Sequence, residues 1–268
     1  GALSLLNGSL TGGTLTGTSY AVENGWVGTV LSGTAALVKD NAAGLVVLNA
    51  ANLYSGGTTV KAGTLVLGID NALRSNGAVQ VDGGELALGV SAQTVGVLTL
   101  NGGLVSGGIL TGSAYALNAG TLSTVLAGTA AMVKDTAGTV RLTVASVYSG
   151  GTTLRSGRLE LGLSDALLTT GDLTLEGGVL DLLGNNQTVG VLTIKGGLVT
   201  NGKVTGTGIE LQSGVVDTVL AGNIGVRKTT AGLVTLMQAN EYTGTTEVLA
   251  GTLQLGASER ILNSTALR

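Results

Sequence analysis

The sequence of 268 residues contains no cysteine, histidine, proline or phenylalanine. Without histidine and cysteine there is no Ser-His-Asp triad, no Cys-His nucleophile, and no thiolate or imidazole ligand for a zinc site. The aromatic residues are one tryptophan and five tyrosines, so the core has to be built from Leu, Val, Ile and Ala. We therefore expect a thin aliphatic core and no chemistry that depends on an imidazole or a thiol.

Charged residues are also scarce. They make up 11% of the chain, against roughly 25% in ordinary soluble domains. The net charge is −3, and the Lys and Arg residues are scattered singly. The chain therefore has no basic stripe for phosphates, which argues against nucleic-acid binding. Gly, Thr, Asn and charged residues interrupt every apolar run well before the roughly 18 residues of a transmembrane helix, so we expect no membrane insertion of this segment.

The strongest feature that is present is an internal repeat of 94 residues. Tyr54, Tyr148 and Tyr242 each open a related motif, which reads YSGGTTVKAGTLVLG, YSGGTTLRSGRLELG and YTGTTEVLAGTLQLG in turn. A second segment starts at Gln93 and returns at Gln187. Such self-similarity indicates a repeat architecture. We assign residues 1–268 to a single segment of a longer array, with copies at approximately 2–95, 96–189 and 190–268, the last one truncated.

Comparison of the copies shows which positions face a core. Val60, Leu65 and Leu67 are replaced only by Val or Leu in the other two copies. The residues beside them change freely: Lys61, for example, becomes Arg and then Leu, while Val66 becomes Glu and then Gln. An aliphatic residue at every second position is typical of a half-buried β-strand. The pattern predicts strands with one fixed inward face and one variable outward face.

Glycines punctuate these strands at regular intervals. Gly63, Gly84 and Gly103 follow one another at spacings of about 20 residues, which suits one rung of a solenoid. Each copy then holds four or five rungs. We predict an all-β fold, a right-handed parallel β-helix of about 12 rungs built from the 94-residue repeat. The alternative is an antiparallel propeller or sandwich with hairpin turns, but a propeller usually carries recurring aromatic residues that are missing here.

The stretch NLYSGGTTVKAGTLVLG (52–68) and its two returns resemble the autotransporter-associated β-strand repeat, also called the passenger-associated transport repeat. That repeat reads approximately Asn, Tyr, Thr, Gly, Gly, Thr, Thr, an apolar residue, Gly-Thr-Leu and a closing Gly. The third copy departs from it, since Thr245 and Glu247 stand where the first copy has Gly57 and Thr59. We therefore expect a looser first turn in that copy.

The resemblance implies a bacterial autotransporter passenger, exported through the outer membrane by its own C-terminal barrel. That barrel lies outside this sequence, so we expect an extracellular or cell-surface segment, either anchored through the barrel or released. The implied role is a structural stalk or adhesin segment that supports cell adhesion, aggregation or biofilm formation. Expected partners are further copies of the protein, or a receptor or glycan on a host or bacterial surface. We predict no enzymatic activity and no cofactor.

Two other functions remain open. One is a polysaccharide hydrolase or lyase, which would need two carboxyl groups about 5 to 10 Å apart across a groove. The candidates, all expected on outward and solvated positions, are Asp82, Glu85, Asp172, Glu176 and Asp181. The other is a module that serves only export and folding. Because no pair of carboxylates stands out, we predict no catalytic residue.

A few remaining residues carry predictions of their own. The turns offer one carboxylate each and no GGxGxD pattern, so we predict no calcium or other metal site. The five tyrosines are expected to stack or to cap loops. Trp26 has no counterpart in the other copies and is interpreted as a space filler, with an exposed contact as the alternative. Lys39, Lys134 and Lys228 recur at matching points and are predicted to form a sparse ladder on the outer surface, which would aid solubility or prevent strand pairing.

Overall fold

A computed structural model of the chain describes residues 1–261. The last seven residues of the third copy, 262–268, lie outside the described residues. Within residues 1–261 all regular structure is β, and no helix is long and apolar enough to cross a membrane. The chain divides into two compact units, Gly1–Ala130 and Ala131–Arg268. The boundary falls inside the second copy, and the interpretation of residues 1–268 as one segment stays a prediction.

In the first unit the chain alternates between two parallel sheets, and each turn adds one strand to each of them. The strands of the first sheet, in their hydrogen-bonded order, are β1 (Ala2–Leu5), β3 (Ser19–Val22), β5 (Leu37–Lys39), β7 (Thr58–Val60), β9 (Val79–Val81), β11 (Val97–Leu100) and β13 (Ala114–Leu117). The strands of the second sheet are β2 (Ser9–Thr16), β4 (Gly25–Ser32), β6 (Leu45–Leu48), β8 (Thr64–Leu67), β10 (Glu85–Thr94), β12 (Leu104–Thr111) and β14 (Gly120–Ala127).

The second unit repeats this arrangement. Its first sheet consists of β15 (Met132–Lys134), β17 (Thr152–Leu154), β19 (Leu173–Leu175), β22 (Val191–Ile194), β24 (Gly208–Leu211), β26 (Val226–Lys228) and β29 (Thr246–Val248). Its second sheet consists of β16 (Thr139–Leu142), β18 (Arg158–Leu161), β20 (Val179–Asp181), β23 (Leu198–Thr205), β25 (Gly214–Gly222), β27 (Leu233–Leu236) and β30 (Thr252–Leu255). Two short strands, β21 (Asn186–Thr188) and β28 (Glu241–Tyr242), pair with β23 and β25.

The register of the second unit gives the number of turns in one repeat. Following the partners along its first sheet leads from Met132 through Thr152, Leu173, Leu192 and Ile209 to Val226. These are five steps, and Val226 lies one repeat length after Met132. The 94-residue copy is therefore five turns. The whole described chain has about 13 turns of about 19 residues, close to the 12 expected.

The predicted parallel β-solenoid is confirmed, and the antiparallel alternative is wrong, because every strand pair described within the two units is parallel. The aliphatic positions identified by comparing copies face the interior: Val60, Leu65 and Leu67 are all buried. In the third copy Leu255 is 44% exposed. Its strand, β30, pairs only with β27 among the described strands.

Candidate functional site

Two candidate carboxylates of the first unit, Asp82 and Glu85, accept hydrogen bonds from neighbouring side chains. Asp82 follows β9 and is exposed, and its Oδ1 accepts hydrogen bonds from Gln80 Nε2 at 2.8 Å and Asn101 Nδ2 at 2.7 Å. Glu85 begins β10, and its Oε1 accepts a hydrogen bond from Ser106 Oγ at 2.5 Å. Asp82 thus lies at a corner and Glu85 on the second sheet, each within its own local network.

Two candidate carboxylates of the second unit, both exposed, stand at opposite ends of one strand. Asp172 precedes β19 and Glu176 follows it, and four residues of extended chain span about 13 Å. The Cα atoms are thus farther apart than the roughly 5 to 10 Å between the two carboxyl groups of a glycosidase. Hydrogen bonds from Lys195 and Arg155 also lower the pKa of Glu176, whereas a general acid needs a raised pKa. Neither observation favours Asp172 and Glu176 as a catalytic pair.

Asp181 was predicted to be solvated, and this is wrong: its side chain is 1% exposed. It pairs with Arg158 Nη2, and its Oδ1 accepts hydrogen bonds from Leu183 N at 2.9 Å and Asn201 Nδ2 at 3.0 Å. Arg158 also contacts Glu160, with 3.1 Å between Nε and Oε1. The neighbouring Arg and Asn side chains cover the carboxylate, so Asp181 is a structural residue that sequence periodicity could not distinguish from an exposed one.

The recurring lysines were predicted on the outer surface, and this is also wrong. Lys39, Lys134 and Lys228 are 0% exposed and occupy inward positions at the ends of β5, β15 and β26. Burial lowers the pKa of all three ammonium groups. Their aliphatic stems cross the core, which leaves the charged end at a corner of the solenoid.

Each lysine ammonium group donates to two backbone carbonyls from successive turns. Lys39 Nζ lies 2.6 Å from Asn41 O and 3.2 Å from Ala62 O. Lys134 bonds in the same way to Thr136 O and to Ser156 O, the latter at 3.3 Å. In the third copy Lys228 bonds to the equivalent carbonyls, Thr230 O and Ala250 O. The lysines therefore bind backbone carbonyls at the corners, outside the ladders of the two sheets.

The tyrosines of the repeat motif pair with a threonine four residues later. The two hydroxyl oxygens are 2.7 Å apart in Tyr54–Thr58, 2.6 Å in Tyr148–Thr152 and 2.8 Å in Tyr242–Thr246. The threonines Thr58, Thr152 and Thr246 are buried with them. Burial raises the pKa of Tyr54 and Tyr242.

The other two tyrosines donate to backbone carbonyls at the ends of strands of the second sheet. Tyr20 Oη lies 2.8 Å from Leu15 O and 2.6 Å from Ser32 O. Tyr115 Oη donates in the same way to Leu110 O and Ala127 O. The Tyr20 ring also packs against that of Tyr54, with 5.9 Å between ring centroids. All five tyrosine hydroxyl groups thus hydrogen-bond to neighbouring groups, and one pair of rings, Tyr20 and Tyr54, packs together.

Trp26 does not fill the core, so its interpretation as a space filler is corrected. Its neighbour Val27 points inward, and Trp26 is half-buried on the outward side of β4. The indole lies across Gly28, where a β-carbon would be 2.3 Å from the ring. Trp26 pairs in register with Val47, which in turn pairs with Val66 on β8. These residues form a short apolar row on the outer surface of the first unit.

A cleft of about 630 Å³ opens beside the loops that connect the second sheet to the first. Its lining residues belong to two successive turns of the first unit and include one cation and no carboxylate. They are Ala51, Asn52, Leu53, Asn71, Leu73, Arg74, Ser75 and Asn76. None of the five carboxylates considered from the sequence lines it, and of its lining residues only Asn52 and Leu53 belong to the motif identified in the sequence. Within residues 1–261 no group of three or more acidic residues could hold a metal ion.

The comparisons with known proteins agree with the repeat found in the sequence. The passenger-associated-transport-repeat family matches residues 37–67, 132–161 and 226–255. Each match contains the buried lysine and the Tyr–Thr pair of its copy. The residues that the three matches share are thus mainly those that hold the turns together.

A curated relative is similar over a longer stretch. The chain is 31% identical over 205 residues to the adhesin BmaC autotransporter of Brucella suis biovar 1 (strain 1330). The alignment covers 74% of this chain and 6% of that protein, so the chain spans a small fraction of its relative's length. No solved structure matches the chain.

Proposed function

Since the chain carries passenger-associated transport repeats and is a segment of an autotransporter passenger, we propose that it is a non-enzymatic adhesin segment. As a passenger segment it is surface-displayed or secreted. In this proposal it supports cell adhesion, aggregation or biofilm formation, and a translocator elsewhere in the parent protein anchors it to the outer membrane. Its partners are further copies of the protein or glycans and receptors on another surface.

The observation that carries the proposal is the location of the residues that the copies share. The shared lysines, tyrosines and threonines are buried in all three copies, and the shared aliphatic residues of the motif are buried in the first two. The outward residues differ between copies: Val66, Glu160 and Gln254 occupy equivalent positions, for example. An enzyme would need a polar constellation aimed at solvent, and none recurs among residues 1–261. The repetition therefore maintains a scaffold.

The outer surface supplies weak contacts in rows. Successive turns place Asn101 beside Asp82 and Asn118 beside Asn101, with hydrogen bonds of 2.7 Å in both cases. On the second sheet Ser106 pairs in register with Ser123. Polar groups repeated turn after turn offer many equivalent contacts, and such contacts gain strength together when several form at once. This is the behaviour expected of an adhesive surface.

Display on a non-adherent bacterium tests the proposal. Cells that display this chain through a heterologous translocator should attach to abiotic or epithelial surfaces, or aggregate, above cells that display an unrelated solenoid of equal length. A parallel incubation with a panel of polysaccharides should release no reducing ends or unsaturated products. Attachment no greater than the unrelated solenoid gives would contradict the adhesive role, and a released product lost in Glu176→Gln would favour a polysaccharide-active enzyme.

A further inference from the structure

The cleft in the first unit has walls that backbone and buried side-chain bonds hold in place. Asn52 is buried, and its Nδ2 and its backbone N donate to Ala72 O at 2.9 and 3.1 Å. The Oδ1 of the same residue accepts a hydrogen bond from Leu31 N at 2.9 Å. Asn52 thus ties three successive turns together at the bottom of the cleft. The cleft is preformed, as binding sites for small ligands usually are.

Arg74 lies in this cleft with its guanidinium group held in place. Its Nη1 donates to Leu53 O at 3.2 Å and its Nε to Asn76 Oδ1 at 2.8 Å. In the part of the chain that the structure describes, Arg74 makes no ion pair, whereas Arg155 contacts two carboxylates. A half-buried, oriented guanidinium group without a carboxylate partner is suited to bind an external anion.

The polar groups around Arg74 present donors to the cleft. The Oδ1 of Asn71 is already occupied by Thr94 N at 3.0 Å, and that of Asn76 by Arg74. Their Nδ2 groups remain as donors, and Ser75 adds a hydroxyl group. With no carboxylate in the lining, the cleft offers donors to a ligand that carries several acceptor oxygens.

Part of the cleft lining is apolar and fits a ring-shaped ligand. Leu53 is 58% exposed, and Ala51 and Leu73 lie beside it. A sugar ring has C–H groups on its faces and hydroxyl groups around its edge, so it can pack on Leu53 while its oxygens meet the donors. The volume of about 630 Å³ falls within the roughly 300–1,000 Å³ of ordinary ligand sites.

The second copy provides an internal comparison. Leu168 stands one repeat length after Arg74, Asp165 after Asn71 and Thr170 after Asn76. Asn71 and Asp165 share the same left-handed backbone conformation, with φ of 48° and 52°. The loop geometry is therefore retained in the second copy while the cation is replaced by an aliphatic residue. Folding of this loop does not require Arg74.

We propose that this cleft binds a sugar unit that carries a carboxylate, with Arg74 as the residue that contacts the anion. The carboxylate lies against Nη2 of Arg74, Asn71 and Asn76 donate to ring oxygens or hydroxyl groups, and Leu53 packs against the ring. This deepens the proposed function, on which it rests, because it names a ligand class for one site of the adhesin segment.

Titration of the purified chain in solution tests the proposal. The probe is a tetrasaccharide of alternating glucuronic acid and N-acetylglucosamine, and its comparison is the same compound with the carboxylates reduced to alcohols. At physiological salt the acidic probe should bind, and reduction of its carboxylates should weaken binding at least about tenfold. Arg74→Leu, which installs the residue of the second copy, should weaken binding of the acidic probe to the same extent while the unfolding temperature stays unchanged.

The matched control is Lys61→Leu. Lys61 is an exposed cation of the same unit, it lies outside the cleft, and its Nζ is 3.5 Å from Asp40. This variant should bind the acidic probe like the wild type. Equal losses in both variants would mean nonspecific attraction of anions, and binding that is indifferent to Arg74 or to reduction of the probe would overturn the proposal. A glutamate-rich peptide that binds while the saccharide does not would overturn it as well.

The result is independent of the display assay. In one outcome, cells that display the Arg74→Leu variant attach as strongly as cells that display the wild type, and the purified chain does not bind the tetrasaccharide. This outcome would rule out the cleft as a binding site and leave the adhesive role intact. Cells that fail to attach while the tetrasaccharide still binds in an Arg74-dependent manner would remove the adhesive role and leave the binding site.

Discussion

Lys39 and Gly63 occupy the same corner of the first unit, and a β-carbon at Gly63 would lie 2.5 Å from the Lys39 ammonium nitrogen. The same β-carbon would be 2.1 Å from Asn41 O, one of the two carbonyls that the ammonium group binds. Gly63 also has a φ of +68°, which residues with side chains rarely adopt. The buried lysine and the glycine of the motif therefore depend on each other.

Gly63→Ala tests this dependence. We expect it to cost about 1–2 kcal/mol for the left-handed backbone and a further 1–3 kcal/mol or so for the clash with the corner carbonyls. The matched control is Gly89→Ala, because Gly89 has a similar φ of +61° but nothing within 4 Å of its β-carbon position. Urea unfolding of the two variants gives the comparison. Equal costs would contradict the packed corner.

Lys134→Met tests the charge state of the buried lysines. Burial lowers the folded-state pKa of Lys134 below its ordinary value of 10.5. At pH values between the lowered pKa of the folded chain and the pKa of 10.5 in the unfolded chain, the unfolded chain binds a proton that the folded chain does not. The free energy of unfolding therefore rises with pH in this range. The wild type should gain stability relative to Lys134→Met as pH increases from 7 to 10, by at most about 1.4 kcal/mol per pH unit.

A second variant serves as the control for that experiment. Leu154 pairs in register with Lys134 on the next turn and is equally buried. Leu154→Met changes the same layer of the core without removing a titrating group. Its stability relative to the wild type should be independent of pH. A flat or falling difference for Lys134→Met would show that the lysine does not titrate in the way its burial requires.

Tyr54→Phe tests the buried hydroxyl pair of the motif. The change leaves Thr58 Oγ1 without its partner, and we expect a loss of about 1–3 kcal/mol at pH 7. Burial raises the folded-state pKa of Tyr54 above 10.0. The stability contributed by the phenol is therefore present below pH 10.0 and is lost as pH rises above it, because the unfolded phenol ionises first.

The deficit of Tyr54→Phe should therefore narrow above pH 10. Thr58→Val removes the other partner of the pair and keeps the phenol, so its deficit should persist over the same range. Chemical denaturation followed by far-UV circular dichroism at pH 7 and at pH 11 distinguishes the two variants. A deficit for Tyr54→Phe that is the same at both pH values would contradict a neutral, buried phenol.

Much of the fold was predictable because the copies act as an internal alignment. Val60, Leu65 and Leu67 were assigned inward from their replacement pattern, and all three are buried. The choice between four and five turns was open, since glycine spacing varies along the repeat. The number of turns is decided only by the register of strand pairing, which leads from Met132 to Val226 in five steps.

The charged and polar interior was not predicted, for identifiable physical reasons. Lys39 follows Leu37 by two residues, so strand alternation already placed it inward, but a lysine is almost never buried without a partner. The partners here are backbone carbonyls, which leave no trace in the sequence. The cleft around Arg74 is lined in part by Asn71 in a left-handed conformation, and neither the repeat nor the hydrophobic pattern indicates this cleft.

Asp181→Asn tests whether the buried carboxylate is structural. The amide that replaces it would present a donor to Arg158 or to the neighbouring amide groups, and we expect a loss of about 1–3 kcal/mol. Asp172→Asn is the matched control. Asp172 is exposed and accepts a hydrogen bond from Val191 N at 2.8 Å, which an asparagine oxygen can replace, so the change should stay within about 0.5 kcal/mol. Similar losses for both variants would contradict the difference in burial.

The central claim is that the 94-residue copies are interchangeable five-turn modules, and deletion of residues 96–189 tests it most directly. The deletion joins Val95 to Gly190 and restores the sequence QTVGVLT, which occurs at both junctions in the native chain. We predict a folded protein with the same β-type circular dichroism per residue and a cooperative unfolding transition of lower free energy. Deletion of residues 96–179 breaks the turn period and should not fold. Two deletions that behave alike would contradict the modular account.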